Sequence, residues 1–296
     1  MKIFDCFMYF DEDLILDLRL NYLDNHVDYF VIVESKFNHN GEERKPLFDI
    51  NKFKDFKDKI IYLLVDTEGK NFYKSEKHDD KDKIAGKNLM NALIRENYQR
   101  NFIINGLDKA NDDDWIIISD LDEIPNLEVN NLRKNENKIV FFNQLMIYYK
   151  LNLFLKDFPW IGSKACKKKY LKSPQWLRNV KDRKYPWWRL DVLFSETKYN
   201  NIKIFQNGGW HFSYIKKPKD IEKKLKSYLH HIEYEQNPIG VEKISKLIKE
   251  KKTVYNLKVD SRLNKFSDGN SLEKLEMSLL PSYINKNLNK YFEWIE

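Results

Sequence analysis

Cysteine is nearly absent. Cys6 and Cys166 are too few for a disulfide framework, and neither has the close Cys or His neighbour that a zinc site needs, so a reducing compartment is expected. Long apolar runs are missing too: nothing approaches the roughly 18 residues that cross a bilayer. The N-terminus passes from Lys2 to Asp5, Asp11, Glu12 and Asp13 without the apolar stretch of a secretory leader. A cytoplasmic protein, at most peripheral to a membrane, is the corresponding expectation. There is no glycine-rich loop followed by Lys-Ser/Thr, no GxGxxG and no GxSxG, which removes the motifs of P-loop kinases, Rossmann dehydrogenases and α/β-hydrolases. A nucleotide, if bound, must be held by acids and a cation.

What is present is a globular composition: 296 residues, 42% hydrophobic and 15% aromatic. A chain of this size buries roughly 75% of its unfolded surface. Lys and Arg exceed Asp and Glu by 52 to 45, a net charge of +7 that favours anionic partners. Most of the Lys is interleaved with Asp, Glu and Asn, which describes a solvated mixed surface and argues against a nucleic-acid groove. The one concentrated patch, Lys164, Lys167, Lys168, Lys169 and Lys172, reads as an exposed loop. The basic and aromatic stretch 164–189 leaves open a peripheral contact with anionic membrane or with an anionic acceptor.

Periodicity orders the first half. Ile3–Phe10, Tyr29–Val33, Ile60–Val65 and Trp115–Ile118 read as strands, and Leu14–Asn25 and Lys83–Asn105 as helices. Strand and helix alternate, so the expected fold is α/β: a mostly parallel, doubly wound sheet with helices on both faces. Ligands of such sheets bind at the carboxyl ends of the strands. The second half is less regular, with strands at 139–142, 146–149, 203–205 and 210–215, a turn at Gly208-Gly209, and helices at 221–234 and 241–254. One domain with a helical tail is expected.

Asp120-Leu121-Asp122, just past a buried strand, offers two carboxylates to one divalent cation, magnesium or manganese, of the kind that bridges nucleotide phosphates. His211, between Trp210 and Phe212, reads either as a third ligand or as a hydrogen-bonded core histidine. The preceding glycines would let the backbone pass close to a ligand. Glu96 and Arg100 form either an i,i+4 ion pair worth about 0.2–0.5 kcal/mol or a site in which Arg100 faces a diphosphate. Glu34, ending the second strand, could accept from a uracil or ribose, or simply face water.

Several blocks together resemble glycosyltransferase family 17. They are residues 4–23 (FDCFMYFDEDLILDLRLNYL), 27–35 (VDYFVIVES), Lys45-Pro46-Leu47, Glu96 to Arg100, 119–125 (SDLDEIP), 209–214 (GWHFSY) and Lys224-Leu225. The resemblance implies a GT-A-like domain over 1–296, with a nucleotide-sugar half to residue 125, an acceptor half to 234 and the tail from 235. It implies metal-dependent, inverting transfer from a UDP-sugar, UDP-GlcNAc first, to a glycan or lipid-linked glycan. The family's DxD maps onto Asp120 and Asp122, and His211 falls on its Trp-His-x-Ser block; the residues themselves make Asp120, Asp122 and His211 the metal candidates and Glu34, Arg100 and Asp120 those for the nucleotide sugar. Inversion requires a general base. Asp191 and Glu233 are guesses for it, and each reads more readily as half of a structural ion pair. Trp187 and Trp188 could stack on acceptor sugars. Phe212 stands where the family usually has Cys. Another UDP-sugar donor, or a glycan- or nucleic-acid-binding protein without catalysis, is the alternative.

Overall fold

The computed structural model describes every residue except Trp187, 228–233, 235–237 and 258–268. The first half follows the expected alternation: β1 (Ile3–Tyr9), α1 (Asp13–Leu23), β2 (Tyr29–Ser35), β3 (Ile60–Val65), α2 (Lys81–Asn101) and β4 (Trp115–Asp120). Alternate strand residues point to opposite faces. Phe4, Cys6, Val31, Val33, Ile116 and Ile118 pack beneath Ile103, Leu107 and Tyr98 on one face. Ile3, Phe7, Phe30, Ile32, Trp115 and Ile117 meet Leu16, Leu20 and Leu23 of α1 on the other. Asp80 starts α2 by accepting from Lys83 N at 2.8 Å.

The second half holds β5 (Glu123–Pro125), β6 (Ile139–Tyr148), β7 (Leu153–Lys167), α3 (Pro174–Asn179), β8 (Ile202–Ser213), α4 (Pro218–Ser227) and α5 (Gly240–Lys249). It ends with β9 (Glu273–Lys274), α6 (Ser282–Lys286) and α7 (Leu288–Tyr291). A single sheet carries all the described strands, in the order β3-β2-β1-β4-β7-β6-β8-β5, with β9 beside β7. It is mixed rather than mostly parallel: β3, β2, β1 and β4 run parallel, as do β6 and β8, while β7 is antiparallel to β4, β6 and β9, and β5 to β8. The reason is connection length. Long helical crossovers permit parallel neighbours in the first half, but the turn from Tyr148 to Leu153 is a hairpin and forces antiparallel pairing.

The sheet also curls. β5 and β7 lie apart in the strand order, yet Ser163 Oγ on β7 donates to Glu123 O at 2.8 Å and Trp160 Nε1 to Glu123 Oε1 at 2.9 Å. The last strand thus returns over the seam between β4 and β7.

Two expectations for the second half change. Gly208-Gly209 is no turn: it lies inside β8, where a Cβ on Gly208 would stand 2.4 Å from Asn143 N, and one on Gly209 (φ 125°) would stand 2.1 Å from Ile124 O. The glycines admit neighbouring strands rather than a ligand. The Lys164–Lys172 patch is no exposed loop either. Lys164 and Lys167 belong to β7, and Lys164 is buried, donating to Arg178 O at 2.6 Å and Val180 O at 2.7 Å. The tail from 235 contains β9 as well as helices. Among the described residues no helix is long and apolar enough to cross a membrane.

Candidate active site

A cleft of about 530 Å³ opens at the carboxyl ends of β1, β2 and β4, and is closed on the far side by α4. Its base is the turn from β4 into β5, which carries Asp120 and Asp122. That turn is shaped from behind by Arg19 of α1, wholly buried, which holds Asp5 through Nε at 2.7 Å and Nη2 at 2.6 Å. The same guanidinium donates to the carbonyls of Asp120 at 3.0 Å, Leu121 at 2.9 Å and Glu123 at 2.8 Å. A planar group with five donors is suited to pinning several acceptors at once.

Two strings of alternating charge run across the cleft floor. In the first, Glu96 takes Arg100 Nη2 at 2.6 Å, and Arg100 reaches Asp120 Oδ1 at 3.1 Å. Arg178 then bridges Asp120 Oδ2 at 3.1 Å and the buried Glu123 at 2.7 Å. Glu123 Oε2 in turn accepts from Asp120 N at 3.0 Å. In the second, Asp122 lies 3.5 Å from His211 Nε2 and 3.4 Å from Lys224 Nζ. Lys224 continues to Glu12 at 3.1 Å, and Lys216 pairs with Asp11 and approaches Glu12 at 3.9 Å.

Charge in the strings decides protonation. Burial opposes ionisation of Asp120 and Asp122, but Arg178 and Arg100 overcome it for the first, and Lys224 and His211 for the second, leaving both below the usual carboxylate range. His211 behaves conversely: burial would lower it, and Asp122 raises it above its ordinary value. Lys224 is raised in the same way, with Glu12 and Asp122 outweighing its burial.

The structure therefore brings together Asp120, Asp122, His211 and Arg100, all of which line the cleft. The Glu96–Arg100 pair exists and serves both readings, since Arg100 also holds Asp120. Glu34 behaves otherwise: fully buried, it accepts from Leu47 N at 2.7 Å, Phe48 N at 3.0 Å and Tyr62 Oη at 2.9 Å, and pairs with Arg44 at 3.0 Å. Its oxygens are spent on the 44–48 loop, and it does not line the cleft. Asp191 also lies off the cleft lining, in the segment after α3, between Arg189 at 2.6 Å and Lys198 at 2.7 Å. Those two partners hold its carboxyl far below the usual range. Glu233 lies outside the described residues, as does Trp187; Trp188 is 64% exposed and not on the cleft.

Arg178 and Trp160 had no sequence signal pointing to the site, and Glu12 had only its place in the acidic run of the 4–23 block. Trp160 packs its ring on His211 at 4.9 Å while its Nε1 holds Glu123.

With this geometry in hand, the match to known families is decisive: the model of glycosyltransferase family 17 matches residues 1–294. The chain belongs to glycosyltransferase family 17. No curated protein matches it. For a family 17 chain, the relevant test of a metal is whether the donor set suits one. Among the described residues no three His, Cys, Asp or Glu side chains converge as a ready cation site. Asp122 Oδ1 and His211 Nε2 stand 3.5 Å apart, an oxygen and an imidazole nitrogen facing each other, and among the described residues the buried His211 Nδ1 has no hydrogen-bond partner. Cations that bridge phosphates are commonly held by one or two protein groups, with substrate oxygens completing the shell.

Proposed function

We propose that this family 17 chain transfers a sugar from a UDP-sugar, UDP-GlcNAc first among donors, to a glycan or lipid-linked glycan hydroxyl with inversion. The observation that carries the reading is the convergence of Asp120, Asp122, His211 and Arg100 on one strand-end cleft, with Arg178 backing Asp120. Asp122 and His211, with Asp120 beside them, would hold manganese or magnesium; when bound, the cation neutralises charge growing on the departing diphosphate.

The chain's own residues supply the rest. Arg100 and Arg178 present fixed positive charge beside the acids, and among the described residues the buried Arg100 Nε has no hydrogen-bond partner. Phe10, Phe37, His39 and Gln99 line the end of the cleft at β1 and β2, suited to a base and ribose. Tyr148, Trp160, Tyr214 and Tyr255 line the opposite side, where flat rings suit sugar faces. The proton of the acceptor hydroxyl needs a base. We assign that role to Glu233, which follows Lys224 of the cleft in sequence; Asp191, clamped by two cations, is the poorer candidate.

UDP release should be measured across a panel of UDP-sugars, with manganese and with EDTA. Manganese-dependent release from one donor supports the reading and identifies the sugar. Release unaffected by the chelator would remove the cation, and no UDP-sugar bound under either condition would sink the transferase reading in favour of a glycan binder.

A further inference from the structure

The segment between α3 and β8 does something unusual with its apolar side chains. Leu190 is 69% exposed, Leu193 73% and Phe194 88%, with Trp188 at 64% beside them. A folded surface rarely gathers so many large apolar groups in a few residues without a use.

This is not a loosely hung loop. Its two ends are joined by Lys181 N donating to Thr197 O at 2.8 Å. Trp176 Nε1 of α3 holds Glu196 O at 2.7 Å, and its ring meets Tyr199 edge-on at 5.7 Å. A 3-10 turn over Leu190–Val192 points Val192 inward, buried to 7% exposure, and so turns Leu190 and Leu193 outward. Arg189 and Lys198 clamp Asp191 across the turn. The apolar tip is thus presented by a braced frame.

Charge around the tip has one sign in excess. Between 181 and 198 stand Lys181, Arg183, Lys184, Arg189 and Lys198 against Asp182, Asp191 and Glu196. The clamp takes Asp191 with Arg189 and Lys198, and the exposed remainder is Lys181, Arg183 and Lys184 against Asp182 and Glu196. Leucine, phenylalanine and tryptophan rimmed by lysine and arginine is the chemistry of a segment that lies in a membrane interface, the apolar groups among acyl chains and the cations at anionic headgroups.

We propose that the 188–194 tip seats this protein on an anionic lipid surface. The segment leaves the scaffold beside the cleft, where Lys164 holds the carbonyls of Arg178 and Val180 and Arg178 grips Asp120. The inference is independent of what the cleft transfers.

The test is co-sedimentation of the full chain with phosphatidylcholine vesicles, with and without about a quarter phosphatidylglycerol. Binding to the anionic vesicles is expected, weakened by salt. Leu193→Ser/Phe194→Ser should lose about tenfold or more of that affinity, and Arg183→Glu/Lys184→Glu should lose the preference for phosphatidylglycerol. Far-UV circular dichroism and thermal melting of both variants should match the parent, since the changed side chains are exposed. Vesicle binding absent, or unchanged in Leu193→Ser/Phe194→Ser, overturns the proposal. So does sedimentation velocity showing a dimer that dissolves in this variant, which would make a second copy the occupant.

Discussion

Arg178 carries more of the site than either motif aspartate. It neutralises the buried Glu123, shares Asp120 with Arg100, and donates to Gly162 O at 2.7 Å. Removing one member of such a buried pair leaves the other uncompensated, a loss of about 3–5 kcal/mol. Arg178→Met is therefore expected to lower urea-denaturation stability by about that amount, and Arg178→Lys to recover only part, since an ammonium cannot reproduce the fork. Asp122→Asn separates differently. Its carboxylate faces His211 and Lys224 near the cleft surface, so folding should survive while transfer falls by about 10²-fold or more, measured as UDP release at saturating manganese. Glu233→Gln should lower kcat by about 10²–10⁴-fold with donor KM unchanged if Glu233 is the base. Equal retention of kcat would remove it from the mechanism.

Lys164 gives a pH signature of its own. Burial, with the nearby Arg178 charge, pushes its ammonium down from 10.5 to about 8. Between those values the unfolded chain holds a proton that the folded chain has released, so this group's contribution to stability rises with pH across the window and is lost as pH falls through about 8. An NMR titration of the lysine Cε resonances should find one midpoint near 8. A Lys164 midpoint at or above 10 would show that the two carbonyl acceptors offset its burial.

At the level of elements, β8 shows how backbone permission becomes chemistry. Gly209 adopts φ 125° and pairs with both Pro125 and Gln144, and two residues later His211 stands opposite Glu123 and Met146, facing Asp122. Gly209→Ala combines left-handed strain, roughly 1–3 kcal/mol, with a collision against Ile124 O. It should unseat β5 from β8 and lower transfer together with melting temperature, checked by calorimetry beside activity. A Gly209→Ala variant with wild-type activity would show that β5 can shift without moving His211.

The parallel strands and their helices were legible because each buries a full set of alternating side chains, as Phe4-Cys6 and Ile3-Phe7 do on opposite faces. Asp120 and Asp122 were legible because they interrupt such a run at its end. The three-residue β5 offers too short a pattern. The split direction of the sheet depends on which strands the chain later returns to, and no local period records that. Lys164 resembled its exposed neighbours because its burial is created by α3, and Glu34 resembled a ligand because the loop that consumes it lies ten or more residues on.

As a whole molecule, the chain assembles its motif acids with partners from far along the sequence. Asp120 and Asp122 precede residue 125, as does Arg100 beside Asp120, but Arg178, His211 and Lys224 follow it. The register of β4 likewise needs β7, pairing Ile118 with Lys164. A chain synthesised from its N-terminus therefore makes Glu12 and Asp122 well before the lysine that joins them. Until α4 emerges, Glu12 and Asp122 lack Lys224, so the second charge string of the cleft cannot close before that helix is made. Site assembly is in this sense a late event of biosynthesis, scheduled by the order of the residues along the chain.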